Sequence, residues 1–198
     1  MTHLEQQQPC ALDHRYVKNT SVDKLGHHGL ACLKSAGRRP QHAHINEVIK
    51  RSLATAGIPS ILEPVGLNLS NGIRPDGVTV FPFSHGKSLS WDATVSDTFC
   101  KTSIIASAIS PGSAANNAED RKVHHYESIT DRYRFTPISL ETTGVYGKLT
   151  EKFIRELGRR LRRTTGDPRE AMWLRQRLSI AIVRGNAASI LATGQFST

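Results

Sequence analysis

Two short apolar runs, Gly77–Phe83 and Leu89–Val95, flank the polar turn Ser84-His85-Gly86-Lys87, and no other pattern constrains the chain as tightly. Strand-forming residues on either side of a Gly-containing turn predict a β-hairpin. Asp76 opens the first arm and Asp92 sits inside the second. Side chains alternate along a strand, so Trp91, Ala93 and Val95 face one way while Asp92 and Thr94 face the other. A carboxylate inside an apolar strand is costly to bury unless something pairs with it. Two of them on adjacent arms point to a cation between them.

The rest of the chain supplies the elements around this hairpin. Residues 1–24 are polar and lack a clear period, which predicts little order. Leu25–Asn46 is a basic stretch bearing His27, His28, Cys32, His42 and His44, residue types that suit zinc. A structural zinc site needs four ligands, with a close Cys or His pair at each end. Upstream, where such a pair would help, the chain reads Tyr16-Val17-Lys18-Asn19. Zinc is therefore not expected, and these histidines read as surface or nucleic-acid-facing groups.

The stripe Ile45, Val48, Ile49, Leu53 predicts a helix over Ile45–Ala56, ended by Gly57. Pro59–Leu62 reads as a strand, and Leu67–Asn71 as its neighbour ending in an Asn-Gly turn. After the hairpin, Thr98–Ile109 has only a weak period. Ala114–Ile129 predicts a helix started by Ser113, and Phe135–Thr142 a further strand. Lys148–Arg163 is an amphipathic helix with Phe153, Ile154, Leu157 and Leu161 as its apolar stripe. Asp167-Pro168 restarts a second helix, Arg169–Val183, with Gly185-Asn186 as the expected stop. The predicted fold is α/β (α+β): a small mixed sheet with flanking helices and a C-terminal helical pair. Three segments follow: a polar, basic N-terminal part at 1–44, a core at 45–147, and a basic helical extension packed on it at 148–198.

Charge narrows the partners. The net charge is +9, and Lys148–Arg184 holds eleven Lys/Arg against four Asp/Glu, a surplus of seven. Such a concentration favours a polyanion, DNA or RNA. Arg155, Arg159, Arg160, Arg162 and Arg163 would contact its phosphates, where mutual repulsion along the helix would be relieved. No run of 18 apolar residues occurs, so no membrane span is expected. Three scattered cysteines suggest a reducing, intracellular compartment.

Magnesium takes hard oxygen ligands, commonly one or two carboxylates with water and phosphate. Asp76 and Asp92 meet that minimum, and Glu63, just before the hairpin, could add a third carboxylate. Thr94 shares a face with Asp92 and could orient water or phosphate. Lys122, with Tyr126 one turn later, could neutralise charge developing on a phosphate. Each residue also has an ordinary reading. Asp76 suits a strand start, Asp92 an edge-strand surface position, Glu63 a solvated strand end, and Thr94 a strand filler. Lys122 suits a solvated helix face, Tyr126 a core edge, and the arginines a solubilising outer face.

Pro75-Asp76, followed on the second arm by Asp92-x-Thr94, resembles the PD-(D/E)XK nuclease signature, and the element order is similar to that superfamily's core. The family usually carries lysine where Thr94 stands; Lys122-x-x-x-Tyr126 resembles the pair seen when that lysine has migrated to the next helix. Over most of residues 20–195, the segments GHHGLAC, EPVGL with RPDGVTV, SWDATV, and LGRRLRRTTGDPRE with QRLSIAIVRGNAASIL resemble one known region. It is the restriction-like endonuclease that follows the reverse transcriptase of some non-LTR retrotransposons. The zinc knuckle that often begins such regions is degenerate here, at Tyr16–Asn19. The resemblance implies a retroelement-derived, metal-dependent endonuclease that hydrolyses DNA phosphodiesters with Mg2+ or Mn2+. Asp76 and Asp92 would be the metal ligands, with Glu63, Lys122 and Thr94 completing the catalytic set and Lys122 and Tyr126 touching nucleic acid. It also implies a nuclear location and a reverse transcriptase encoded elsewhere as a partner. The alternative is a remnant of the same fold that binds nucleic acid without cutting it; a third reading makes the hairpin carboxylates structural in an interaction module.

Overall fold

The computed structural model describes residues 25–32, 34–65, 67 and 74–193, together with the backbone of 8–9 and 21–22. The knuckle remnant Tyr16–Asn19, most of the segment 1–24 and most of the strand expected at Leu67–Asn71 lie outside the described residues.

A four-stranded mixed sheet carries the fold, in the order β3 (Ser60–Leu62), β4 (Gly77–Ser84), β5 (Lys87–Ser96), β6 (Tyr133–Glu141). Ahead of it, β1 (Gln8–Pro9) and β2 (Ser21–Val22) form a two-residue antiparallel ladder. The hairpin forms as expected: β4 and β5 pair antiparallel, with Gly77 opposite Trp91, around a turn in which His85 and Gly86 both take positive φ. β3 joins β4 antiparallel, and β6 joins β5 parallel. A parallel neighbour needs a crossover, and α3 (Ile104–Ile109), α4 (Ser113–His125) and the 3-10 turn Glu127–Ile129 supply it.

The alternation along β5 sorts the layers. Leu89, Trp91 and Ala93 point into a single core, shared with Ile138 and Leu140 of β6. Helix α2 (Arg38–Thr55) closes that core with Ile45, Ile49 and Leu53; α5 (Lys148–Thr165) and α6 (Glu170–Thr193) add Phe153, Leu157, Leu174 and Leu178. The short α1 (His27–Ala31) lies against α6. α4 covers the other face of β5 and β6, the one that bears Asp92. The sheet thus carries α2, α5 and α6 on one side and α4 on the other.

Two helices differ from their expected bounds for physical reasons. α2 begins at Arg38 rather than Ile45, because Pro40 falls in its first turn, where a missing N–H costs nothing. α6 runs on to Thr193 through Gly185-Asn186, the expected stop. A β-carbon at Gly185 would overlap the Gln41 side chain of α2, so this glycine permits a close helix crossing. Gln41 spans the crossing, donating to the Ile182 carbonyl at 3.0 Å and to Asn186 at 3.1 Å.

Buried carboxylates hold the helix starts. Glu141, at the end of β6, accepts the Ala114 N–H at the head of α4. Glu119 of α4 in turn accepts the N–H groups of Leu149 and Thr150 and the Thr150 hydroxyl, at the head of α5. Both carboxylates sit where a helix leaves donors unpaired and its dipole favours negative charge.

Arg160 departs from its expected role. It is half-buried, its guanidinium lies 4.1 Å from the Phe83 ring centre, and it donates to the Phe83 carbonyl and to Glu156. Glu156 also receives Arg134 at 3.0 Å. Arg160 therefore ties α5 to the hairpin rather than facing a nucleic acid. Burial alone would raise the Glu156 carboxyl, but the bonds from Arg160 and Arg134 outweigh it and hold it below the usual glutamate range. A pKa depressed by folding means stability that is full above the unfolded value, near ~4.3, and lost as pH falls through the folded one. Glu156→Gln is expected to lower the Tm at neutral pH, with the gap from wild type closing below about pH 4. A gap independent of pH in thermal melts would remove this assignment.

Candidate metal centre

Gly77 and Trp91 set the geometry of the site. They sit opposite each other in the hairpin ladder, and a β-carbon on Gly77 would collide with the Trp91 indole. The ring therefore lies flat over the glycine and sends its N–H to Asn46 Oδ1 on α2, at 2.9 Å. Asn46 is one turn beyond His42 on the same face of α2, and its amide reaches the His42 ring at 3.4 Å. The tryptophan thereby fixes the height at which α2 crosses the sheet, and so where His42 lands.

It lands on Asp76. His42 Nε2 is 2.9 Å from Asp76 Oδ2, and the same oxygen accepts the Ala93 N–H at 2.7 Å. Asp92 is the third member of the group: one ligand atom each from His42, Asp76 and Asp92 lie within 4.8 Å of one another. From the opposite side, Lys122 Nζ of α4 meets Asp92 Oδ1 at 2.7 Å. Two octahedral bonds end to end span about 4.2 Å, so donors within 4.8 Å of one another could share one ion after side-chain adjustment. The donor set, two carboxylates and an imidazole, fits a divalent metal.

The electrostatics follow the partners. Hydrogen bonding to Asp76 raises His42, against burial, which would lower it. Burial would raise Asp76, but the His42 bond and charge and the Ala93 N–H hold its carboxyl below the usual range. Burial, aided by the Asp76 charge, raises Asp92 against the pull of Lys122. A site that disfavours one of its own negative charges is ready for further positive charge.

Of the residues expected at the site, Asp76, Asp92 and Lys122 come together. Thr94 shares the Asp92 face of β5 and lines the cavity beside His42. Glu63 does not join them: its side chain is 74% exposed, and its carboxylate is taken by Arg74 at 2.6 Å. Tyr126 is adjacent but fully buried, stacked on Phe135 at 4.4 Å. Its hydroxyl donates to the Arg74 carbonyl and lies against Asp92, and burial with the nearby carboxylates pushes it well above the usual phenol range. Tyr126 therefore braces the site as a neutral phenol and is not a nucleic-acid contact.

Arg160 of α5 lies at Phe83, beside Ser88, which is four residues or ~13 Å along β5 from Asp92. Arg155 is exposed but paired with Glu151, whereas Arg159, Arg162 and Arg163 are exposed with no ion pair among the described residues. His42 is the member that sequence reasoning assigned to the surface. Its His42-x-x-x-Asn46 spacing ahead of the apolar stripe was the available signal.

No protein-family model matches the chain, and no curated protein matches it. Among the described residues no helix is long and apolar enough to cross a membrane.

Proposed function

We propose that the chain is a divalent-metal-dependent phosphodiesterase of the PD-(D/E)XK type acting on DNA. The observation that carries this reading is the convergence of His42, Asp76 and Asp92, with Lys122 set against Asp92 from a different helix. A lysine delivered from α4 takes the place that Thr94 leaves vacant in the motif.

When bound, the divalent ion would polarise the scissile phosphate and acidify the attacking water. Asp76 and Asp92 would supply its oxygen ligands and His42 its nitrogen. The Ala93 N–H holds Asp76 Oδ2 in place and leaves Oδ1 outside that bond. Lys122 sits against Asp92 Oδ1 and would compete with an ion for that oxygen. Its ammonium would be placed to meet charge developing on the phosphate oxygens.

Cleavage of supercoiled plasmid to nicked and linear forms, in Mg2+ and in Mn2+, is the direct test. Cleavage that either ion supports and EDTA abolishes is the expected result. DNA binding without cleavage in either ion would replace the enzyme with the binding remnant.

Lys122→Met separates the two duties of Lys122. Removing a cation that competes for Asp92 is expected to tighten Mn2+ binding about tenfold in calorimetry. Losing the phosphate contact should slow cleavage about a hundredfold. Looser metal binding in this variant would contradict the assigned competition.

A further inference from the structure

A second polar cleft lies next to the cavity that His42 lines. Its floor is Thr94–Asp97, the last turn of β5 and the residue after it. Arg38 of α2 forms one wall, while Asn117, Ala118 and Arg121 of α4 form the other. The cavity measures about 390 Å³. Arg38 and Thr94 also line the smaller cavity beside His42, so the two spaces are neighbours with a common wall. Arg38 is one turn from His42 and Arg121 is next to Lys122, which puts an arginine just outside the metal centre on each side.

These arginines are not used by the fold. Arg38 makes one long contact, to the Ala31 carbonyl at 3.5 Å, and neither Arg38 nor Arg121 forms an ion pair among the described residues. The arginines on α5 and α6 that lie near carboxylates are paired, as in Arg175 with Glu151. The carboxylate lining the cleft, Asp97, accepts the Phe99 N–H at 2.9 Å and so holds its own loop. The cleft therefore has two uncommitted guanidinium forks, whose planar geometry fits phosphate oxygens. A cavity of this size admits a small-ligand-sized unit. It has room for one nucleotide at a time, not for a duplex.

On this basis, and resting on the reading of the metal centre as a phosphodiesterase, we propose that the cleft between α2 and α4 holds a single-stranded segment of the substrate. Arg38 and Arg121 grip the phosphate next to the scissile one, and the strand leaves along the end of β5. The favoured substrate is then a nucleic acid with an unpaired strand at the cutting point, such as an overhang or a flap, rather than a blunt duplex.

The test measures binding apart from cleavage. A fluorescein-labelled oligothymidylate is titrated by anisotropy in EDTA, over a range of salt, with wild type, R38Q/R121Q and R159Q/R162Q. Each phosphate contact on a single strand adds about 0.7 to the slope of log K against log salt. R38Q/R121Q is expected to flatten the slope by at least that amount and to weaken binding at least tenfold at low salt. It should affect a blunt duplex less. R159Q/R162Q removes the same charge from α5 and is expected to change the single-strand slope by less. An unchanged slope in R38Q/R121Q, or an equal loss in R159Q/R162Q, would overturn the proposal. Neither arginine pair supports the core, so melting curves should match wild type. The two readings fail separately: no cleavage with the slope change intact removes the nuclease and keeps the cleft, while cleavage with an unchanged slope does the reverse.

Discussion

Asp76→Asn is expected to cut metal-dependent cleavage by at least about a thousandfold, equivalent to about 4 kcal/mol of transition-state stabilisation. The change keeps the shape of the side chain and removes its charge. It acts at the atom pair where three elements meet: the start of β4, the Ala93 N–H of β5, and His42 of α2. An amide oxygen can still accept from Ala93, so the backbone geometry has a partner. The site loses a negative charge, and His42 loses the carboxylate that orients it. Calorimetric titration with Mn2+ should show binding weakened in parallel with activity. A thermal melt within a few degrees of wild type would show that the loss is local. Asp92→Asn should lose activity to a similar extent, with one difference: Lys122, only 20% exposed at its side chain, is left without its carboxylate. That variant should therefore also be less stable. Cleavage retained by Asp76→Asn would dismiss the metal centre as the seat of catalysis.

The second large effect is on stability and is far from the hairpin. Glu119→Ala is expected to destabilise the fold by about 3 kcal/mol, because each hydrogen bond to a charged group contributes ~1.5–3 kcal/mol and some water will enter the gap. For a chain of this length that corresponds to a fall in Tm of roughly 6–12 °C. Glu119 is 2% exposed and receives three donors, the N–H groups of Leu149 and Thr150 and the Thr150 hydroxyl, at 2.9, 2.8 and 2.6 Å. The residue just before α5, Gly147, has no side chain to cap the helix. Glu119 therefore caps α5 from a neighbouring helix, and Gly147 is a glycine because a β-carbon would meet the Glu119 carboxyl. Glu119→Gln keeps an acceptor and should recover part of the loss. A Tm shift below about 2 °C for the alanine variant would refute this account. In the sequence, Glu119 stood in a charged run that read as a solvated helix face.

Local patterns were legible wherever one periodicity dominated. The strand pair around Ser84–Lys87, the stripe Phe153, Ile154, Leu157, Leu161, and the stripe Ile45, Val48, Ile49, Leu53 were each readable, and the structure buries them together. Positions with two possible uses were misread. Gly185 could end a helix or admit a neighbouring one; only the crossing of α2 over α6 decides for the second. Arg160 sits in a run of arginines alike in sequence, yet it alone among the five expected contacts lies over Phe83. Tyr126 was weighed as a core edge and as a phosphate contact, and its burial against Phe135 of β6 favours the former.

The hairpin itself shows where sequence stops. Its alternation put Asp92 and Thr94 on one face and Trp91 on the other, and made two carboxylates on adjacent arms an anomaly that called for positive charge. All of that follows from period-two geometry and the cost of burying a charge. The source of the positive charge was only half visible. Lys122 was a candidate because of its place on the next helix, whereas His42 belonged to a group of histidines and had only its spacing to Asn46 to single it out. Its selection depends on Gly77 admitting the Trp91 ring, on Trp91 holding Asn46, and on Asn46 setting the turn of α2 that faces Asp76. That chain of contacts links residues more than thirty positions apart. Such separation carries no sequence period, so packing alone turned a pair of carboxylates into a three-donor site.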